Sequence, residues 1–123
     1  MLNHKRLRDS FGNAFKGLYR LLRDEQNARI HVVLTMFVFA SAIVFQVNRL
    51  EAAILFIAVI MVFGMEIINT AIEELIDHLH PHRHETIARI KDGMAGAVFI
   101  SAMIAAAVAF LVFYPHVLGL FSR

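Results

Sequence analysis

The sequence predicts an all-α membrane protein in which an amphipathic interfacial helix precedes three transmembrane helices. Three observations carry this. Of 123 residues, 59% are hydrophobic and only 18% charged, with a mean hydropathy of +0.63; a soluble domain this small has too little interior to hide so much apolar surface. Three apolar runs approach or exceed the length of about 20 residues that a bilayer crossing needs. The basic residues are distributed unevenly about those runs, as they are around membrane spans. Cysteine is absent, which excludes disulfides and Cys-ligated metal centres. No cleavable leader is expected, because the charged stretch before Ile30 is too long for one.

The first element is a helix over residues 5–23. Leu7, Phe11, Ala14, Phe15, Leu18 and Leu22 share one face at helical spacing, and Lys5, Lys16, Arg20 and Arg23 fall opposite. A helix of this kind lies in the headgroup plane with its basic side toward anionic lipid. Gly12 and Gly17 have phosphate-loop spacing, but Leu18 stands where the lysine belongs, which voids that signal. The first crossing is expected over 30–47 and the second over 52–76, which is free of charge to Met65 and then continues in helical pattern through Glu66. The third is expected over 94–114, a run without a charge. Gly93, Ala97, Ser101, Ala105 and Ala109 recur every four residues along it, a seam that lets helices approach closely. The chain reads as one membrane domain over 1–123, with short connections and no repeat or low-complexity linker.

Seven basic residues precede the first crossing and three (Arg83, Arg89 and Lys91) lie between the second and third; Arg49 and Arg123 stand alone in the other two segments. Ten against two places the N-terminus and the second connection on the cytoplasmic side of the membrane. The overall balance of 12 basic to 10 acidic residues leaves no electrostatic footprint for nucleic acid.

The unusual residues sit on the second crossing. Glu66, Glu73 and Asp77 fall within about 40° of one another on a helical wheel, with Asn69 on the adjoining flank. If the crossing starts at Ala52, Glu66 lies about 9 Å inside the hydrocarbon boundary and Glu73 at the interface. A charge at that depth costs around 3 kcal/mol on insertion scales, so it faces a polar interior or a partner. Asp77 reads as an ordinary charge at a helix end. Glu25 and Lys91-Asp92 fall at the same cytoplasmic level as Glu73. Carboxylates are hard ligands for Mg²⁺, and Lys and Arg neutralise phosphates. Metal ligands, a phosphate cation and a buried base at one interface are the parts that phosphoryl transfer to a lipid hydroxyl requires. A non-catalytic scaffold, or a channel lined by Glu66 and Asn69, is the competing reading. The alternating histidines at 78, 80, 82 and 84 read as a solvated loop, since Pro81 breaks the helix and no scaffold fixes them as ligands.

The segment Glu66-Ile67-Ile68-Asn69-Thr70-Ala71-Ile72-Glu73, followed downstream by Lys91-Asp92, resembles the small bacterial integral-membrane lipid kinases, the diacylglycerol kinase and undecaprenol kinase family. Length, three crossings and the amphipathic N-terminal helix agree, so the resemblance covers nearly the whole chain. Glu25-Gln26-Asn27-Ala28-Arg29-Ile30-His31 resembles the E-x-N-x-[RK]-x-H segment of the undecaprenol kinase branch. The resemblance implies ATP-dependent phosphorylation of a lipid at the bacterial inner membrane, with undecaprenol as acceptor or, alternatively, diacylglycerol. It implies Glu66 as the catalytic base and Glu25 and Glu73 as the Mg²⁺ pair. It implies Arg6, Glu25, Asn69, Glu73, Lys91 and Asp92 as nucleotide-site residues, and a homotrimer whose active sites are shared between neighbouring chains. Asn13 stands where the diacylglycerol kinases carry a tyrosine of the nucleotide site.

Overall fold

The computed structural model describes residues 4–122. Within them the chain forms four helices and no strand: α1 (His4–Asp24), α2 (Gln26–Val44), α3 (Arg49–Leu79) and α4 (Glu85–Phe121). Arg123, counted in the charge asymmetry, lies outside the described residues. The last three helices are long and apolar enough to cross a membrane. At 1.5 Å per residue α2 rises about 28 Å, close to the hydrocarbon thickness, while α3 and α4 rise about 46 Å and 55 Å and must project beyond it.

The α1–α2 joint is a single residue, Glu25, in extended conformation (φ −99°, ψ 120°). Arg29 locks the joint from the far side. Its Nη1 donates to the Arg23 carbonyl at 2.7 Å and to the Leu22 carbonyl at 3.3 Å. These are among the carbonyls that the end of α1 leaves without helical partners, and a cation there also suits the negative end of the helix dipole. Arg23 in turn forks onto Asp24 at 2.6 and 2.9 Å, and this hydrogen-bonded pairing holds the Asp24 carboxyl below the usual carboxylate range.

The expectation of 30–47 for the first crossing differs from α2 at both ends. Helix starts four residues earlier, because Glu25 supplies the extended turn and Arg29 ties the first turn back to α1. It stops at Val44, because the next residues form a Schellman ending: Gln46 N–H bonds to the Ile43 carbonyl and Val47 N–H to that of Ala42. Gln46 takes the left-handed position (φ 51°) that this motif usually gives to glycine. Asn48 and Glu51 then open α3 with a reciprocal capping box, each side chain bonded to the other's backbone N–H at 2.8–2.9 Å. His116 of α4 lies 3.3 Å from both Glu51 carboxylate oxygens, and the Phe45 ring packs against Phe113 and His116. These contacts fasten the ends of the three long helices remote from Glu66.

The core lies chiefly between α3 and α4. Leu55, Ala58, Val62, Glu66 and Asn69, spaced three or four apart, form the buried face of α3, opposed by Val98, Ser101 and Val112. Little else is covered. Phe11 and Phe15 of α1, Phe37 and Ile43 of α2, and Phe110 and Leu111 of α4 are exposed, as suits helices whose solvent is lipid. Leu21, absent from the apolar face read off the sequence, is the residue of α1 that the fold buries. In the small-residue seam, Ser101 is buried and its hydroxyl bonds back to the Val98 carbonyl. Gly93 and Gly96 have nothing within 4 Å of where a Cβ would stand, so α3 does not require their smallness.

A candidate phosphoryl-transfer site on the third helix

Glu66 occupies a place on the buried stripe of α3 where the repeat calls for an aliphatic side chain. Only 2% of it is exposed, and its Oε2 has no hydrogen-bond partner. Asn69, on the next turn, is also buried, with its Oδ1 unpartnered. A buried polar atom without a partner costs free energy of order 1–3 kcal/mol, and two adjacent ones mark a place organised for something the chain does not supply.

Around Glu66 the antiparallel α2 and α3 set out polar levels. The titratable groups whose charges bear on it are His31, Glu25 and Glu73. Glu73 lies seven residues, about 10 Å of helix rise, from Glu66; Glu25 lies six residues, about 9 Å, from His31. The helices therefore carry Glu25 and Glu73 at one level and His31 and Glu66 at the next, deeper in the apolar zone. Both outer carboxylates are half-buried, and the Glu25 side chain makes no capping bond to its helix. One turn beyond Glu73, Asp77 forms an ion pair with Lys91 of α4. Asp77 thus has a specific partner that its place at a helix end did not disclose. Asp92, next in sequence, is exposed.

The structure therefore brings Glu25, Glu66, Asn69 and Glu73 into one region and sets Lys91 beyond Glu73 through its ion pair with Asp77. It does not bring Arg6 there within one chain. Arg6 is in the first turn of α1, and about 27 Å of helix separates it from the Glu25 end. Beside Glu25 a cavity of about 480 Å³ opens between Gly17, Arg20 and Leu21 of α1 and Ile67, Thr70 and Glu74 of α3. His31, whose charge bears on Glu66, entered the sequence reading only as the last residue of the Glu25–His31 segment. Its signal was a polar residue near the start of an otherwise apolar run.

Glu25, Glu66 and Glu73 place three carboxylates, with the His31 imidazole, in one partly buried region. Glu25 at the start of α2 and Glu73 on α3 are hard oxygen donors of the kind that suit a divalent cation whose coordination phosphate oxygens complete. Among the described residues no group of three or more His, Asp or Glu side chains forms a metal-holding cluster by itself. The histidine run does not form one either. His78 lies in the last turn of α3, His80 is its C-cap, and His84 caps α4 by accepting the Thr86 N–H at Nδ1.

Comparison with known proteins gives the family. The sequence model of the family described as prokaryotic diacylglycerol kinase matches residues 12–113. The undecaprenol kinase of Bacillus subtilis (strain 168) is 30% identical over 106 residues, covering 86% of this chain and 86% of its own length. The diacylglycerol kinase of Escherichia coli (strain K12) is 28% identical over 105 residues, covering 85% and 86% respectively. A diacylglycerol kinase of Synechocystis is 30% identical over 112 residues, covering 90% of this chain and 64% of its own.

Proposed function

The chain belongs to the prokaryotic diacylglycerol kinase family, a family of lipid kinases, and from that premise we propose that it phosphorylates undecaprenol at the cytoplasmic face of the bacterial inner membrane. The observation that carries the chemistry is Glu66, a buried carboxylate with an unpartnered oxygen one level below a pair of outer carboxylates. The lipid hydroxyl oxygen forms a bond to the γ-phosphorus of ATP. The bond from that phosphorus to the bridging oxygen breaks, the hydroxyl proton passes to Glu66, and ADP leaves. Glu25 and Glu73 would hold Mg²⁺, which when bound offsets phosphate charge. Asn69, Lys91, Asp92 and Arg6 contact the nucleotide. In this reading the N-terminus and the His80–His84 connection face the cytoplasm, and Arg6 reaches the site of a neighbouring chain in a homotrimer.

One observation supports undecaprenol over diacylglycerol as acceptor: the Glu25–His31 segment follows the undecaprenol kinase pattern. The shares of chain matched in the Bacillus and Escherichia coli enzymes are nearly equal and do not discriminate. The test is purified protein in mixed micelles with Mg-ATP, offered each lipid separately at equal mole fraction. Greater turnover on undecaprenol is expected. Comparable or greater turnover on diacylglycerol overturns the assignment of acceptor.

A further inference from the structure

The ion pair between Asp77 and Lys91 joins α3 to α4, yet it does little for the fold. The Asp77 side chain is 66% exposed and that of Lys91 31%, and a pair so open to water adds little stability. The two helices are already packed along the buried face that runs from Leu55 to Asn69. What the pair does fix is the Lys91 ammonium, which otherwise swings on a flexible four-carbon stem. An ammonium has three donors; Asp77 accepts one, and the others remain for a ligand. Both side chains stand in the wall of a cavity of about 490 Å³ at the α3–α4 connection, with Arg83 and Glu85. Glu73 lies one turn from Asp77 on the same stripe of α3, about 6 Å of helix rise away. Glu74 belongs instead to the cavity on the α1 side. A lysine released from Asp77 therefore has Glu73 as the next carboxylate on that stripe.

We propose that Asp77 is a positioning residue for phosphoryl transfer: it holds the Lys91 ammonium one turn beyond Glu73, toward the nucleotide phosphates, and keeps it from neutralising Glu73. Asp77 touches neither substrate, and no proton or bond changes at it. Its effect passes through Lys91, whose ordering is complete before the nucleotide arrives, so binding does not bear that cost. The inference rests on the lipid-kinase reading above, in which Lys91 meets the nucleotide and Glu73 the Mg²⁺, and adds to it the residue that keeps the two apart.

A double-mutant cycle separates this role from a structural one. Affinity for a non-hydrolysable Mg-ATP analogue is measured by calorimetry in micelles, so that variants without turnover are still read. The proteins are wild type, Asp77→Asn, Asp77→Glu, Lys91→Ala and the double variant Asp77→Asn/Lys91→Ala. Asp77→Asn is expected to weaken nucleotide binding about tenfold, the scale of one lost charge-assisted hydrogen bond. It should also move the Mg²⁺ titration of activity to higher concentration and leave lipid KM within about twofold of wild type. Asp77→Glu, which keeps the carboxylate, is expected to recover most of the loss. In the double variant the Asp77 substitution should add less than about twofold to the loss caused by Lys91→Ala, since no ammonium is left to position. Melting temperatures check folding, and Asp77→Ser takes the place of Asp77→Asn in the cycle should the latter melt early. Fully additive losses, or a rise in lipid KM equal to that in nucleotide Kd, overturn the proposal. So does nucleotide binding that is unchanged or tighter in Asp77→Asn, the result if Asp77 merely repels phosphate. Wild-type protein that phosphorylates neither undecaprenol nor diacylglycerol overturns the kinase reading beneath it, a result distinct from any of these.

Discussion

A carboxylate that is 2% exposed, on a helix face it shares with Leu55, Ala58, Val62 and Asn69, is a poor choice for packing and a good one for taking a proton. Replacing it separates the two roles. Glu66→Gln keeps shape and polarity but cannot accept the hydroxyl proton, so turnover should fall by roughly 10² or more, the scale of general-base catalysis, with ATP affinity nearly unchanged. Thermal stability should hold or rise, since the variant no longer buries an ionisable group. Glu66→Asp should be almost as inactive, its carboxylate withdrawn by a methylene. Near-normal turnover in Glu66→Gln would return this residue to a packing role. For the outer pair, Glu25→Ala and Glu73→Ala should each shift the Mg²⁺ titration to higher concentration and cut activity steeply; unchanged titrations in both would remove the metal assignment. Glu66 and Glu73 were legible because charge inside an apolar run is conspicuous. The Lys91–Asp77 pair was not, because it depends on how far α4 slides along α3, and no local pattern states that register. His31 was legible only as the last residue of the Glu25–His31 segment; that its charge bears on Glu66 depends on how α2 lies along α3.

At the scale of elements, hydropathy located all four helices, but their ends are set by single side chains that hydropathy ignores. Glu25 and Arg29 start α2 four residues before its apolar run, and His84 starts α4 at Glu85, so that Lys91 and Asp92 ride on a helix rather than in a loop. The ending of α2 offers a test. Gln46 holds a left-handed conformation that costs a residue with a Cβ roughly 1–2 kcal/mol relative to glycine. Gln46→Gly relieves that strain but gives the unfolded chain more freedom, which offsets part of the gain. The expected result is a stabilisation of up to about 1 kcal/mol, read as a higher melting temperature in detergent, with kinase activity unaltered because this turn is remote from Glu66. Asn48→Ala, at the adjoining capping box, should move stability the other way by about 1 kcal/mol. A Gln46→Gly variant less stable than wild type would mean that the Gln46 side chain has a role the Schellman geometry does not account for.

At the scale of the whole molecule, most of the apolar surface of a single chain is uncovered. Only 6% of the apolar window of α2, and 17% of that of α4, is buried. Lipid can cover such faces; Arg6, proposed above as a nucleotide contact, lies about 27 Å along α1 from Glu25. If Arg6 contacts the nucleotide, it does so in a neighbour's site, and the open stretch at Gly93 and Gly96 gives helices of different chains room to approach. Complementation tests this arrangement. Glu66→Gln chains and Arg6→Ala chains, each impaired alone, are mixed, dissociated and reassembled together. In a closed symmetric ring each site takes Glu66 from one chain and Arg6 from the next, so an equal mixture should restore about a quarter of the sites. If both residues serve the same chain's site, every site in the mixture carries one defect and no activity returns. Differently tagged chains verify mixing by co-purification, so absence of recovery despite mixing would count against shared sites. Ala105→Leu, which enlarges a side chain in the small-residue seam, should loosen the assembly and lower activity most at low protein concentration in detergent. A monomer that stays fully active on dilution would leave the shared site without support, and Arg6 would then have to act within its own chain or not at all.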